Sequence, residues 1–328
     1  LARLPHVGKL VSPACDDGLF NASGLQLTIR GLSVKLLFAQ DVPGLPLPTA
    51  TSIVQILTGK YAHEISDTIL AGVPDVAQFR RLTKLVKHWA KQRGIYGGWF
   101  GFLGGTAWTI ICARICQTNP TLELFELVCS FFRSVSRRDW RQPFTLLPPG
   151  TTGPGEEETA ALAASMPPGN TMLVQLPVGV GLSATPHVTE TAMKIMQKEL
   201  RRGFKLTHQM QLGKARWSEL YSSGRFFNRH RHFLELDFMA TSEDVLAQWF
   251  SFGRGQLKDF VNLFETLIGG RVTLRPWPEW LAFKDPDWPH ARAIFLGLHL
   301  ERAKGAPSAD GNPTTTPGAS SSGARHTF

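Results

Sequence analysis

The 328-residue chain is 43% hydrophobic and holds nine Trp and 21 Phe, enough apolar material for two or three domains. Its formal net charge of +9 points to an acidic partner, such as nucleic acid or an anionic membrane surface. Four Cys in this length argue against a disulfide framework, and the longest apolar run, around residues 108–112, is too short to span a bilayer. No charged start leads into an apolar stretch as in a secretory signal, so a soluble intracellular setting is expected. The first residue is Leu1 and not Met, which reads as a fragment or a processed product.

Leu25, Leu27 and Ile29 alternate with Gln26, Thr28 and Arg30, the pattern of a half-buried strand. After Gly31, VKLLFA (34–39) reads as a second strand, and the two as a hairpin at a sheet edge. A link with Pro43, Pro46 and Pro48 follows. From Asp75 the period changes. Val76, Phe79, Leu82, Leu85, Val86 and Trp89 recur at three and four residues, with Arg80, Arg81, Lys84, Lys87 and Lys91 at other positions. This predicts an amphipathic helix capped by Asp75 and ending near Gly94. Residues 106–117 predict a second, more apolar helix, stopped by Asn119 and Pro120, and 122–140 a third. Cys112 and Cys116, four apart on one helix face, read as core thiols, since a metal pair there would need two more ligands. Residues 147–170 are rich in Pro, Gly and Ala and read as a linker or insertion. Beyond them, MLVQLPV (172–178) reads as a strand, 189–202 as a helix capped by Thr189, and 217–221 as a short helix. A strand at 232–240, a helix from Ser242 to about Leu267, and strands near 271–277 and 293–300 complete an α+β pattern. From Lys304 onward almost nothing is apolar, which predicts a disordered tail.

The segment GIYGGWFGFLGG (94–105) holds the densest glycines. Gly98, Gly101 and Gly104 are three apart, and Gly105 follows. No strand precedes them, so they are not a dinucleotide fingerprint, and no GK[ST] closes a P-loop. Two readings stay open: glycines that let helices pack closely, or bare peptide N–H groups at a helix start offered to a phosphate or base. In the C-terminal half, Arg225, Arg229, His230, Arg231 and His232 flank Phe226 and Phe227, and Arg201, Arg202 and Lys205 surround Phe204. Such mixtures suit a flexible single strand, with charge on phosphates and rings on bases. The phenylalanines read better as core and the arginines as RNA contacts. His230 and His232 would share a side of a strand, but no metal is expected there.

KHWAKQRGIYGGWFGFLGGTAWTIICARICQTNP (87–120) resembles the central domain of eukaryotic poly(A) polymerases. GLSVKLLFAQ (31–40) resembles that family's strand bearing the last catalytic aspartate, and VPDVAQF (73–79) the start of the next helix. LGKARWSELYSSGRFFNRHRHFLELDFMA (212–240) and AIFLGLHLER (293–302) are similar to its RNA-binding domain. The resemblance covers roughly residues 24–303. It implies a multidomain α+β fold: a remnant of a nucleotidyltransferase β-sheet over 1–48, a helical central domain over 49–146, a linker or insertion over 147–170, an RNA-binding RRM-like α/β sandwich over 171–303, and a disordered tail over 304–328.

The same resemblance implies AMP transfer from ATP to RNA 3′ ends in mRNA polyadenylation, in the nucleus, with pre-mRNA 3′-processing factors as partners and no membrane. It carries nucleotide contacts onto Lys87, Tyr96, Gly104, Gly105 and Thr106, the last where the family commonly has valine. On spacing alone Lys87 would be a solvated charge and Tyr96 a helix-end packing residue. The RNA side falls on Arg201, Arg202, Lys205, Arg225, Arg229 and Arg231. The family holds two Mg²⁺ ions on three carboxylates, because this cation demands oxygen ligands. The Gly-Ser and Asp-x-Asp region bearing two of them has no match here, and Lys35 stands at the third. Neither Asp41 nor the adjacent Asp16 and Asp17 replaces it. No catalytic or metal residue is therefore expected, and the chain by itself is predicted inactive. An RNA-binding or scaffolding relative without activity is the alternative.

Overall fold

The structure, a computed structural model, describes residues 7–11, 24–29, 32–37, 60–146, 172–178, 182–222, 226–268, 272–277 and 279–300. The segments 147–170 and 304–328, expected to be a linker and a tail, lie outside the described residues, as does Arg225.

Three strands come first: β1 (Val7–Val11), β2 (Gly24–Ile29) and β3 (Leu32–Leu37), an antiparallel sheet in chain order. The hairpin β2–β3 is the one its alternation predicts, with Gln26 opposite Lys35. β1 was not among the expected elements.

The helical body follows. α1 (Lys60–Gly72) was missed, because among its described side chains Ile65 and Ile69 are the buried apolar ones, with Leu70 partly buried beside them, and so few positions make a weak periodic signal. α2 (Val76–Gln92) forms as expected. Asp75 Oδ1 accepts from the N–H groups of Ala77 (2.7 Å) and Gln78 (3.0 Å), satisfying first-turn donors that have no partner within the helix. Gly94, with φ at 65°, turns the chain out of it. α3 (Gly105–Thr118) buries Trp108, Ile110, Ile111, Cys112, Ile115 and Cys116, so the two cysteines are core thiols. α4 (Leu124–Arg137) opens with a capping box of Glu123 and Glu126. Trp89 of α2 meets Trp108 of α3 and Phe132 of α4 edge-on, with centroids 6.1 and 4.8 Å apart.

α5 (Glu190–Gln211) is capped by Thr189, as expected, and lies along α4. Gly203 sits under the Phe132 ring, where a Cβ would come within 2.3 Å of it. The buried core runs on through Met172, Val174, Leu176, Val188, Met196, Leu200 and Leu220. Residues 172–220, expected with the C-terminal sheet, therefore pack with the helices instead. Nor is 172–178 a ladder strand. Its groups pair singly: Leu173 O accepts from Phe144 N, Gln175 N donates to Phe144 O, and Val174 N donates to Thr185 Oγ1.

After α6 (Trp217–Tyr221) and α7 (Phe226–Arg229) comes the sheet body: β4 (His232–Ala240), α8 (Glu243–Leu267), β5 (Val272–Pro276), β6 (Leu281–Phe283) and β7 (His290–Leu300). The sheet is antiparallel in the order β4–β7–β5, and β6 also pairs with β7. Phe238, Leu274, Ile294 and Leu296 on one face close a second core with Leu246, Phe250, Leu257 and Val261 of α8. By strand alternation the other face carries Phe233 and Phe295, over which Phe226 and Phe227 lie. Among the described residues, Phe100 alone packs against both cores.

Candidate nucleotide and RNA site

Lys87 lies on the last turns of α2, Tyr96 in the loop that follows, and Gly105 at the first position of α3. A Cβ on Gly105 would come 2.8 Å from Tyr96 Oη and 3.6 Å from Lys87 Nζ. The phenol and the ammonium thus converge on a bare helix start. Gly104, the N-cap, makes no side-chain capping bond, and residues 104–106 are half-exposed. The opening N–H groups of α3, including that of Thr106, have no side-chain acceptor at the cap and carry the positive end of the helix. Lys91 adds a second ammonium 5.1 Å from the centre of the Tyr96 ring. Neither lysine is in an ion pair with another described residue.

Burial lowers the pKa of Lys87; the neighbouring Cys112 opposes this and Lys91 adds to it. Burial raises that of Tyr96, so the phenol stays a proton donor at neutral pH. Burial also pushes the Cys112 thiol up and Cys116 to about 11. The arrangement offers a polyanion one or two ammonium groups, a phenol hydroxyl and uncapped backbone donors within one side-chain length.

The loop between α2 and α3 is tied down at several points. Gly97, Gly101 and Gly94 all have positive φ, at 99°, 75° and 65°. The His187 Nε2 atom lies 2.9 Å from Phe102 O, and burial lowers the imidazole pKa. Trp99 lies under the Arg254 guanidinium, 4.5 Å from the ring centre.

The residues expected on the RNA side spread over two neighbouring elements. Arg201 and Lys205 are exposed on α5, one turn apart. Arg202 instead turns toward the C-terminus of α6, donating to Glu219 O (2.6 Å) and Leu220 O (3.4 Å). Arg229 and Arg231 are exposed at the end of α7 and just beyond it. Phe226 is buried, as expected of a core residue. Phe227 is 42% exposed and stacks among Phe226, Phe233, Trp277 and Phe295 at 5.2–5.5 Å, so it is an edge of the core open to solvent. His230 is not in the strand. Its ring packs on Gly297 ahead of β4, while His232 opens the strand and is exposed.

Sequence reasoning missed a largely buried trio beside these residues. Arg93, at the end of α2, donates to Glu199 of α5 through Nε (2.7 Å) and Nη2 (3.0 Å), and through Nη1 to Ser222 O. Arg275 of β5 donates to the same carboxylate at 2.5 Å. Burial alone would raise the Glu199 pKa, but the two guanidiniums hold it down at about 2. Arg202 and Arg229 lie within electrostatic reach of the trio, so four arginines surround one carboxylate. Residues 106 and 76 positions apart carry no local signal of pairing.

For Mg²⁺ the donor set does not fit. Among the described residues no three His, Cys, Asp or Glu side chains gather as a metal site. Position 35 of β3 holds a lysine. No helix among the described residues is long and apolar enough to cross a membrane.

Comparison with known proteins finds similarity to one family. The model of the poly(A) polymerase central domain matches residues 78–223. The chain is 28% identical over 321 residues to nuclear poly(A) polymerase 1 of Arabidopsis thaliana, covering 95% of this chain and 44% of that protein. It is 29% identical over 292 residues to poly(A) polymerase pla1 of Schizosaccharomyces pombe, covering 85% and 51%. Poly(A) polymerase PAPa of Candida albicans is 30% identical over 220 residues, covering 64% and 40%. The chain thus spans about half the length, or less, of the curated relatives it matches. Among solved structures, that of mtPAP in complex with GTP overlays with a TM-score of 0.44 at 13% identity, covering 67% of this chain and 50% of that one.

Proposed function

We propose that this chain, similar to eukaryotic poly(A) polymerases, serves adenylyl transfer from ATP to RNA 3′ ends in the nucleus. In that reaction the RNA 3′ oxygen attacks the α-phosphorus of ATP and pyrophosphate leaves. The role of the described residues is to bind and orient. Lys87 and Lys91 neutralise phosphate oxygens, Tyr96 donates a hydrogen bond, and Gly104, Gly105 and Thr106 present backbone to the nucleotide. Arg201, Lys205, Arg229 and Arg231 track the phosphates of the RNA, with Arg202 beside them; Arg225, outside the described residues, is given the same role from the sequence alone. The observation that carries this reading is the convergence of Lys87 and Tyr96 on the uncapped start of α3.

The described residues do not supply a ligand set for Mg²⁺. A second reading, an RNA-binding or scaffolding protein without activity, is favoured by Lys35. An ammonium opposite Gln26 in a strand cannot ligate a divalent cation and would repel one.

Equilibrium titration with ATP and with a single-stranded oligoadenylate tests the binding part. Lys87→Ala and Tyr96→Phe are expected to weaken ATP binding and leave RNA binding intact. Loss of neither would end the nucleotide assignment. AMP incorporation by a full-length version separates the two readings: Lys35→Asp raises incorporation if that version is active and the strand belongs to its active site, and a full-length version at background with and without the change is a scaffold.

A further inference from the structure

Residues 93–105 carry the nucleotide-facing Tyr96 and end at Gly105. Within the segment Gly97 N donates to Leu103 O (2.9 Å) and Ile95 is buried in the helical core, while three glycines at positive φ lie within eight residues. The sheet body adds ties on both sides of Tyr96. Three residues before it, Arg93 shares Glu199 with Arg275 of β5, and Arg275 Nη2 also donates to Arg93 O at 3.4 Å. Three residues after it, Trp99 is covered by Arg254 of α8. The next residue, Phe100, packs into the core under α8 as well as into that of the helices. Arg254 is in no ion pair with a described residue. Its guanidinium rests between the rings of Trp99 and Phe250, at 4.5 and 5.7 Å, which leaves ring faces as its partners. A third tie, Thr191 Oγ1 to Glu265 Oε2 at 2.5 Å, fixes α8 against the start of α5, beside the His187 that holds Phe102 O.

We propose that Arg254 and Arg275 are positioning residues that make nucleotide and RNA bind cooperatively. RNA held at Arg201 and Lys205 restrains α5, which carries Thr191 and Glu199, the partners of Glu265 in α8 and of Arg275 in β5. Through Trp99 and Arg93, α8 and β5 restrain the segment that aims Tyr96 at Gly105. Neither arginine needs to touch the nucleotide. By linkage the effect is reciprocal: nucleotide bound at Lys87 and Tyr96 tightens RNA by the same factor. The inference rests on the nucleotide and RNA reading above.

The test is the dissociation constant of a fluorescent ATP analogue, measured on the full chain with and without saturating 15-nucleotide oligoadenylate. Wild type is expected to tighten by about fivefold or more on adding RNA. Arg254→Ala reduces the change to less than about twofold, with RNA affinity and thermal midpoint close to wild type, since the side chain is neither in the RNA face nor in an ion pair. Arg275→Lys reduces it in part, because the shorter lysine chain stops short of the place from which Nη2 meets both Glu199 and the Arg93 carbonyl. Hydrogen exchange gives a second readout that needs no nucleotide: amides of residues 97–106 slow on adding RNA in wild type and not in Arg254→Ala. Coupling or protection that survives Arg254→Ala in full overturns the proposal, as does a wild type with neither. If the analogue fails to bind, or binds without regard to Lys87 and Tyr96, the nucleotide site itself is wrong, and the exchange arm still decides whether Arg254 transmits RNA occupancy to the loop. If it binds there and Arg254→Ala changes nothing, only the coupling falls.

Discussion

At the scale of single residues, the candidate site turns on a hydrogen atom. Gly105 has no Cβ, and the Tyr96 hydroxyl occupies the place one would take, 2.8 Å away. Gly105→Ala is therefore expected to displace Tyr96 and weaken ATP binding by about tenfold, roughly 1.4 kcal/mol. The same change costs little stability, since alanine at a helix start is intrinsically better than glycine by up to about 1 kcal/mol. Parallel ATP titration and urea unfolding would check both, and an Ala variant with wild-type affinity would mean the phenol does not face the ligand. The lowered pKa of Lys87 has a signed consequence. Its charge is complete at neutral pH and is lost on the alkaline side sooner than that of an ordinary lysine at 10.5. ATP affinity is expected to decline with rising pH ahead of that value, and to do so less in Lys87→Arg. Of this site, Lys87, Tyr96 and Gly105 were legible through a long shared pattern, although spacing alone left Lys87 as a solvated charge. Lys91 over Tyr96 and Arg254 over Trp99 were not legible. The first depends on how a glycine-rich loop folds back, and the second joins residues far apart in the chain.

At the scale of elements, close helix packing is written in one glycine and read only in three dimensions. Gly203→Ala in α5 would drive a methyl to within 2.3 Å of the Phe132 ring. Helix propensity favours the substitution, but overpacking dominates, and a net loss of about 1–3 kcal/mol is expected in urea or thermal unfolding. An unchanged midpoint would show that α4 and α5 can move apart freely. Legibility here followed the strength of the periodic signal. α2 announces itself with six apolar positions at helical spacing and a capping aspartate, and its cap bonds form as read. α1 buries too few side chains to show a stripe. The run 172–178 looked like a strand because it is apolar, but its backbone is satisfied by Phe144 and by residues 182–185, not by a neighbouring strand. Composition reports burial, and here the burial is that of an irregular segment under a helix.

At the scale of the whole molecule, charge and topology govern. A formal charge of +9 predicts salt-sensitive binding of single-stranded RNA, the affinity falling linearly with salt on logarithmic axes. RNA binding indifferent to salt would remove the electrostatic basis for the RNA face. The Arg93–Glu199–Arg275 trio sets an acid limit. The folded-state pKa of Glu199 lies near 2, below its ordinary 4.5, so the stability it supplies is full above 4.5 and is lost as pH falls toward 2. Glu199→Gln is expected to flatten that part of the acid-unfolding profile. At neutral pH it costs about 3–5 kcal/mol, because it leaves the buried guanidinium of Arg93 and the partly buried one of Arg275 without their carboxylate. The division into bodies was only half legible. The two ends of the chain pattern gave the helices and the final sheet, but 172–220 was assigned by its neighbours in sequence and packs by its apolar face against α4. The seam between the bodies runs through Phe100, a side chain with one ring in two cores. A residue so placed makes neither core complete without the other, so the helices and the sheet share one melting event. In an unfolding experiment the glycine-rich loop would give way together with the cores it joins.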